Sequence, residues 1–233
     1  EHLNCRTVFD PCIGWGGRML GTTMVGGSYT GCEPFTKTFE GLEQMKDKLN
    51  LSSVDIYNHP VEDILDQLDD KTYEICLTSP PYYDLEIYSK EETQSSQRYP
   101  TYDIWVAEFL KPMIDYVCSH VTEYSCWSVK NFKTGSSHDL YDDVVRLHKE
   151  NGWIKSSMEF SIKKNTQGNS KATGDITYVF HKKGNLVDIS TEAGILQKPL
   201  ILKHPEKVTK IADEYAKAQA LMQGKISSEA KEI

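Results

Sequence analysis

Residues Thr7-Val8-Phe9-Asp10-Pro11-Cys12-Ile13-Gly14-Trp15-Gly16-Gly17-Arg18 decide the fold. Thr7 to Phe9 read as a short buried strand. The strand ends in an acidic residue and a glycine-rich turn, then gives way to a helix from about Arg18 to Met24. Strand, acid, glycine turn and helix form the unit that opens a doubly wound α/β sheet. The glycines let the backbone come close to a nucleoside, and the helix N-terminus faces the turn. Alone, such a turn is a weak signal, because many α/β domains need one here.

Downstream, the pattern repeats. Ser28 to Cys32 read as a second strand ending in Glu33 and Pro34. A carboxylate at that tip can accept hydrogen bonds from both hydroxyls of a ribose, and it stands about 20 residues after the glycines, the spacing of such a unit. A third strand, Val54 to Tyr57, leads into Asn58-His59-Pro60-Val61-Glu62-Asp63, whose polar groups suit an adenine edge. His59 equally suits a cap for a following helix. A fourth strand, Tyr73 to Leu77, runs into Thr78-Ser79-Pro80-Pro81-Tyr82. Two prolines cannot continue a central strand, so the chain leaves through a stiff turn. That turn sets Ser79 and Tyr82 at the carboxyl end of the strand, the edge where open α/β sheets bind ligands. Read alone it is either a proline-stiffened loop or a site for a flat, polar, π-rich molecule such as a nucleobase.

Together these residues resemble the S-adenosylmethionine-dependent DNA amino-methyltransferases, which methylate cytosine N4 or adenine N6. The resemblance extends from Thr7 to about Lys183. Asp10-Pro11-Cys12-Ile13-Gly14-Trp15-Gly16-Gly17 is similar to the family's cofactor motif D-P-F-x-G-x-G, with Cys12 and Ile13 in place of the usual Phe-Ala. Ser79-Pro80-Pro81-Tyr82 resembles its catalytic (D/N/S)-P-P-(Y/F) motif. The resemblance implies S-adenosylmethionine as cofactor, held by Asp10, Pro11, Cys12, Gly14, Gly16, Glu33, Pro34 and His59. It implies catalysis by Ser79, Pro80, Pro81 and Tyr82 on a base flipped out of DNA. Serine at the first motif position leans toward cytosine N4. The fold implied is α/β, a Rossmann-like class I methyltransferase. Its sheet would be mostly parallel and seven-stranded, with helices on both faces and a C-terminal antiparallel strand pair. Related enzymes acting on RNA or on protein glutamine usually carry N-P-P-Y, and a silent binding subunit would have lost its cofactor residues.

The remaining sequence fits that architecture. Tyr83 to Tyr102 is a long polar stretch of lid or binding-segment length, and in the family such a loop touches substrate, which makes Tyr88, Lys90 and Arg98 DNA-contact candidates. Ile104, Trp105, Phe109, Met113 and Val117 form the apolar stripe of a helix. Tyr124 to Val129 read as a fifth strand, with Lys130 to Lys133 after it on the substrate side. Asp139 to Asn151 read as an amphipathic helix ended by Gly152. Trp153 to Ile162 and Asp175 to His181 read as a final strand pair. A methyltransferase domain over 1–185 and a helical extension over 186–233 are expected.

The 233 residues are 39% hydrophobic, enough for a full core. No apolar run approaches the roughly 18 residues of a membrane span, and no signal peptide is visible. The six cysteines are scattered without a C-x-x-C pair, so neither a metal site nor a disulfide framework is expected. Reduced cysteines point to an intracellular protein. The net charge of −8 is unusual for a DNA enzyme. Lysines cluster locally, however, at Lys155, Lys163, Lys164, Lys171, Lys182 and Lys183. Lys163, Lys164 and Lys171 are further DNA-contact candidates; a solvated hairpin rim is the alternative. The family places a further cofactor-binding segment before the first strand. Such a segment, or a partner subunit, is therefore expected to complete the cofactor site and to aid target recognition.

Overall fold

Val8 and Phe9 point to opposite faces of the sheet, as neighbouring strand residues must, and each joins its own core. The computed structural model describes residues 3–161 and 176–182. All of these belong to the first of two units of the chain, Glu1–Glu192. The expected extension over 186–233 lies outside the described residues, as do Lys163, Lys164 and Lys171.

The expected strands form with nearly the expected bounds. They are β1 (Thr7–Asp10), β2 (Ser28–Cys32), β3 (Val54–Tyr57), β4 (Tyr73–Thr78) and β5 (Val121–Ser128). A short ribbon follows, β6 (Phe132–Thr134) with β7 (Ser136–His138), and then β8 (Trp153–Ser161) and β9 (Ile176–Lys182). Among the described residues the main sheet has seven strands in the order β3-β2-β1-β4-β5-β9-β8. Pairing from β3 through β5 is parallel, and β9 runs antiparallel to both neighbours. The sheet is therefore mostly parallel, with the expected antiparallel pair at its end. Strand order reverses between β1 and β4, which opens a crevice at their carboxyl ends.

Helices α1 (Gly17–Met24) and α2 (Thr36–Leu49) bring Met19 and Leu42 to one face, against Val8, Tyr29, Val54 and Ile75. After the short α3 (Ser95–Arg98), the other face carries α4 (Tyr102–Trp105), a π-helical turn (Val106–Leu110), α5 (Lys111–His120) and α6 (Leu140–Glu150). Trp105, Phe109, Met113 and Val117 are core residues there, as their helical spacing predicts. The π turn has a covalent cause. Pro112 has no N–H to offer the carbonyl four residues back, so the helix widens ahead of it. That carbonyl, on Glu108, lies 3.5 Å from the Tyr99 hydroxyl.

Two segments differ from expectation. The segment after His59 forms no α-helix; it makes two 3-10 turns, Val61–Asp63 and Leu65–Leu68, separated by Ile64 at φ −126°. Burial of Val61, Ile64 and Leu68 holds this irregular path. The first turn starts at Pro60 without a side-chain cap, so His59 does not cap it. The second difference is the β6–β7 ribbon, for which the sequence pattern gave no strand signal. Three residues a side are too few to show a period of two, and Gly135, at φ +70°, makes the turn.

Candidate active site

β1 delivers Asp10 to the crevice fully buried, where an unpartnered carboxylate would be costly. It has four partners. Arg18 Nε donates at 2.6 Å, the Tyr29 hydroxyl at 2.6 Å, Thr78 Oγ1 at 2.9 Å and the Cys12 amide at 3.2 Å. Burial pushes the Tyr29 phenol well above its ordinary range, so it stays protonated and donates. Arg18 also donates to the carbonyls of Cys12 and Ile13. Asp10 thus fixes the glycine turn from beneath. Its oxygens accept from these protein donors, so it positions the turn. The Thr78 bond matters most, because Thr78 immediately precedes Ser79. One carboxylate locks the glycine turn and the S-P-P-Y turn to each other.

Above Asp10 the turn passes through Gly14 at φ +61° and Gly16 at φ +79°, a region L side chains rarely adopt. A Cβ on Gly16 would lie 2.6 Å from Leu42 Cδ2, so this glycine lets α1 close on α2. A Cβ on Gly14 would meet nothing within 4 Å, so Gly14 borders open space. Its amide donates to Glu33 at 3.0 Å, and the Phe35 amide donates to the other Glu33 oxygen at 2.9 Å. Asn58 Nδ2 donates to the Glu33 carbonyl at 2.9 Å and holds the end of β2 to that of β3. Glu33 is 8% exposed, and burial pushes its carboxyl up to about 7 against the pull of those two amides. Each oxygen retains acceptor capacity for a ligand.

The catalytic-type turn lies alongside. Ser79 Oγ donates to the Ser128 carbonyl on β5 at 3.1 Å, so the hydroxyl hydrogen is used and the oxygen's lone pairs stay free to accept. Pro80 is buried and Pro81 and Tyr82 are half-buried. Tyr83, at φ +44°, ends the turn in an uncommon left-handed conformation. The Tyr82 ring meets Phe132 of β6 edge-on, with centroids 5.4 Å apart, and Lys130 Nζ lies 5.7 Å from its centre. Behind it pack Tyr83, Tyr102, Trp105 and His138. The β6–β7 ribbon therefore forms one wall of the site, in keeping with the expected placing of Lys130 to Lys133 on the substrate side.

No protein-family model and no curated protein matches the chain. Solved structures do. A SAM-dependent methyltransferase from Agrobacterium tumefaciens superposes with a TM-score of 0.52 at 12% identity, over 77% of this chain and 57% of its own. Magnesium protoporphyrin IX methyltransferase from Synechocystis, with bound SAH, gives 0.50 at 12% identity, over 78% and 75%. A candidate rRNA-methylase from Clostridium thermocellum gives 0.50 at 14% identity, over 76% and 89%.

The fold is that of the class I methyltransferases.

In this methyltransferase fold, the expected site residues separate into groups. Asp10, Gly14, Gly16, Glu33 and Ser79 to Tyr82 converge at the crevice. Pro11 is buried under the turn, Cys12 is half-buried beside Met113, and Pro34 accepts from Thr93 Oγ1 at 3.0 Å. His59 is exposed at the carboxyl end of β3. Among the DNA-contact candidates, Lys90 is exposed and Tyr88 is 46% exposed, with its hydroxyl on Glu86. Arg98 is half-buried; its guanidinium clamps Asp63 with two bonds of 2.6 Å and lies 3.6 Å from Glu62, so it staples the long loop to the β3 side. Among the described residues no helix is long and apolar enough to cross a membrane.

Proposed function

We propose that this protein binds S-adenosylmethionine and transfers its methyl group to an exocyclic amino group of a DNA base, cytosine N4 ahead of adenine N6. The observation that carries the reading is the 2.9 Å bond from Thr78 to Asp10, which holds a nucleoside-type turn and a base-type turn in one crevice.

The residues fit the cofactor. Gly14 leaves room for close approach, and Glu33 keeps acceptor capacity for two ribose hydroxyls. S-adenosylmethionine supplies, when bound, an electrophilic sulfonium methyl and departs as the neutral thioether S-adenosylhomocysteine. An exocyclic amino group is a poor nucleophile because its lone pair is delocalised into the ring. Ser79 Oγ, its own hydrogen already given to Ser128, accepts an amino N–H and favours a pyramidal nitrogen with an available lone pair. Tyr82, braced by Phe132, stacks on the base and holds it within attack distance. The methylated nitrogen then sheds one proton to water. The rate comes from position and local dipoles, with no covalent enzyme intermediate.

Mass spectrometry of nucleosides from treated DNA tests the reading, with N4-methylcytosine as the expected product. Finding neither N4-methylcytosine nor N6-methyladenine, with cofactor bound, overturns it; methylation of RNA alone moves the substrate class. Ser79→Ala is expected to lower kcat by roughly 100-fold with cofactor affinity unchanged. Equal losses in both would contradict the acceptor role.

A further inference from the structure

The segment after the S-P-P-Y turn is a strap pinned at both ends. At its start the Leu85 amide donates to the Tyr82 carbonyl at 2.8 Å, and Asp84 accepts from Thr134 on the β6–β7 ribbon. At its far end Glu91 accepts from the Thr36 amide and hydroxyl, both at 3.1 Å, where α2 begins, and Thr93 bonds Pro34. The strap therefore crosses from the catalytic turn to the residue beside Glu33. Among its side chains, Asp84 and Glu86 have protein partners, Thr134 and Tyr88. Leu85 and Ile87 belong to neither core, and they are 43% and 65% exposed. A single exposed aliphatic residue is ordinary. Here, however, the most exposed large apolar residue of the described chain stands on a segment anchored on both sides of the site.

We infer that Ile87 is a positioning residue that inserts into the base stack of duplex DNA, filling the space left by the extruded target base. This rests on the base-methylation reading. Extruding a base opens a gap between its neighbours, and unstacking costs a few kcal/mol. An aliphatic wedge in that gap restores contact with the neighbouring base faces and removes its own surface from water. The strap starts at Tyr82, so a wedge at Ile87 lies on the same short segment as the ring that receives the base. Lys90, exposed on the same strap, is placed to meet phosphate.

The test compares Ile87→Ala, Ile87→Leu and wild type on three oligonucleotides of one sequence: paired duplex, duplex mismatched at the target base, and single strand. For Ile87→Ala, the ratio of kcat/KM on paired duplex to that on single strand is expected to fall roughly tenfold, one unstacking increment of about 1.4 kcal/mol. The mismatch, which lowers the cost of extrusion, is expected to recover most of that loss, and Ile87→Leu to retain it in part. An equal loss on all three substrates, or no loss on paired duplex, overturns the wedge while base methylation by the wild type stands. If cofactor-bound wild type methylates none of the three, the methylation reading falls and the wedge falls with it.

Discussion

Glu33 and His148 are both buried and both shifted, yet their surroundings differ in kind. His148 lies fully buried on α6 with its ring stacked on Phe180, centroids 4.0 Å apart. Its Nδ1 faces the Val144 carbonyl at 2.8 Å and must donate, so Nε2 accepts from Ser125 Oγ at 2.9 Å. Ser125 in turn accepts from Trp127 Nε1 at 2.6 Å. Every ring nitrogen is used, and burial holds the imidazole neutral, down to about 4. Glu33 receives only two amides and has capacity left, although burial has pushed it up to about 7. The closed network belongs to the framework. The open one leaves acceptor capacity at the crevice.

Three measurements bear on that contrast, in order of expected size. His148→Ala leaves a cavity and strands Ser125 and Trp127, so urea unfolding should show a loss of roughly 3 to 4 kcal/mol. Cofactor affinity of the folded fraction should not change; if it does, the two regions are coupled. Glu33→Ala should show the reverse pattern in calorimetry and thermal melts. Binding of S-adenosylmethionine should weaken about 100-fold, roughly 2.7 kcal/mol. Stability without ligand should not fall, since a desolvated carboxyl is removed. A large drop in melting temperature would place Glu33 in the framework instead.

The smallest effect is in pH. A ribose hydroxyl donates to the ionised carboxylate, and Glu33 ionises around pH 7. Cofactor affinity should therefore fall about tenfold from pH 8 to pH 6, and Glu33→Gln should flatten that profile. The same shift has a stability consequence. The raised carboxyl stabilises the fold below its ordinary value of 4.5, and this is lost as pH rises through about 7. His148 runs the other way. Its contribution is present above 6.5 and is lost as pH falls through about 4. Unliganded Glu33→Gln should accordingly gain stability over wild type as pH rises from 5 to 8.

Legibility in the sequence followed the range of the interactions. The bounds of β2 and β3 were readable to the residue, because short strand-forming stretches ended by Glu33-Pro34 and Asn58-His59-Pro60 are local signals. The S-P-P-Y turn was readable for the same reason. What escaped depends on distant partners. Arg98 reads as a basic residue in a polar loop, and only the structure shows it paired with Asp63, 35 positions earlier. That Arg18, Tyr29 and Thr78 all converge on Asp10 is likewise a matter of distant residues. The pairing of Phe132 with His138 went unread, since a ribbon of three residues a side has too little period to read.

The sequence by itself determined the order of strands and helices, the two turns that define the crevice, and the acid at the tip of β2. These rest on hydrophobic period, on the missing N–H of proline and on the conformational freedom of Gly14 and Gly16, all properties of neighbouring residues. Only the tertiary structure decided which polar groups are open. It closed Asp10 with Arg18 and His148 with Ser125, and it left Glu33 and Ser79 with lone pairs still to fill. The physical reason is that hydrogen-bond capacity is counted in space, across strands that the chain separates by tens of residues.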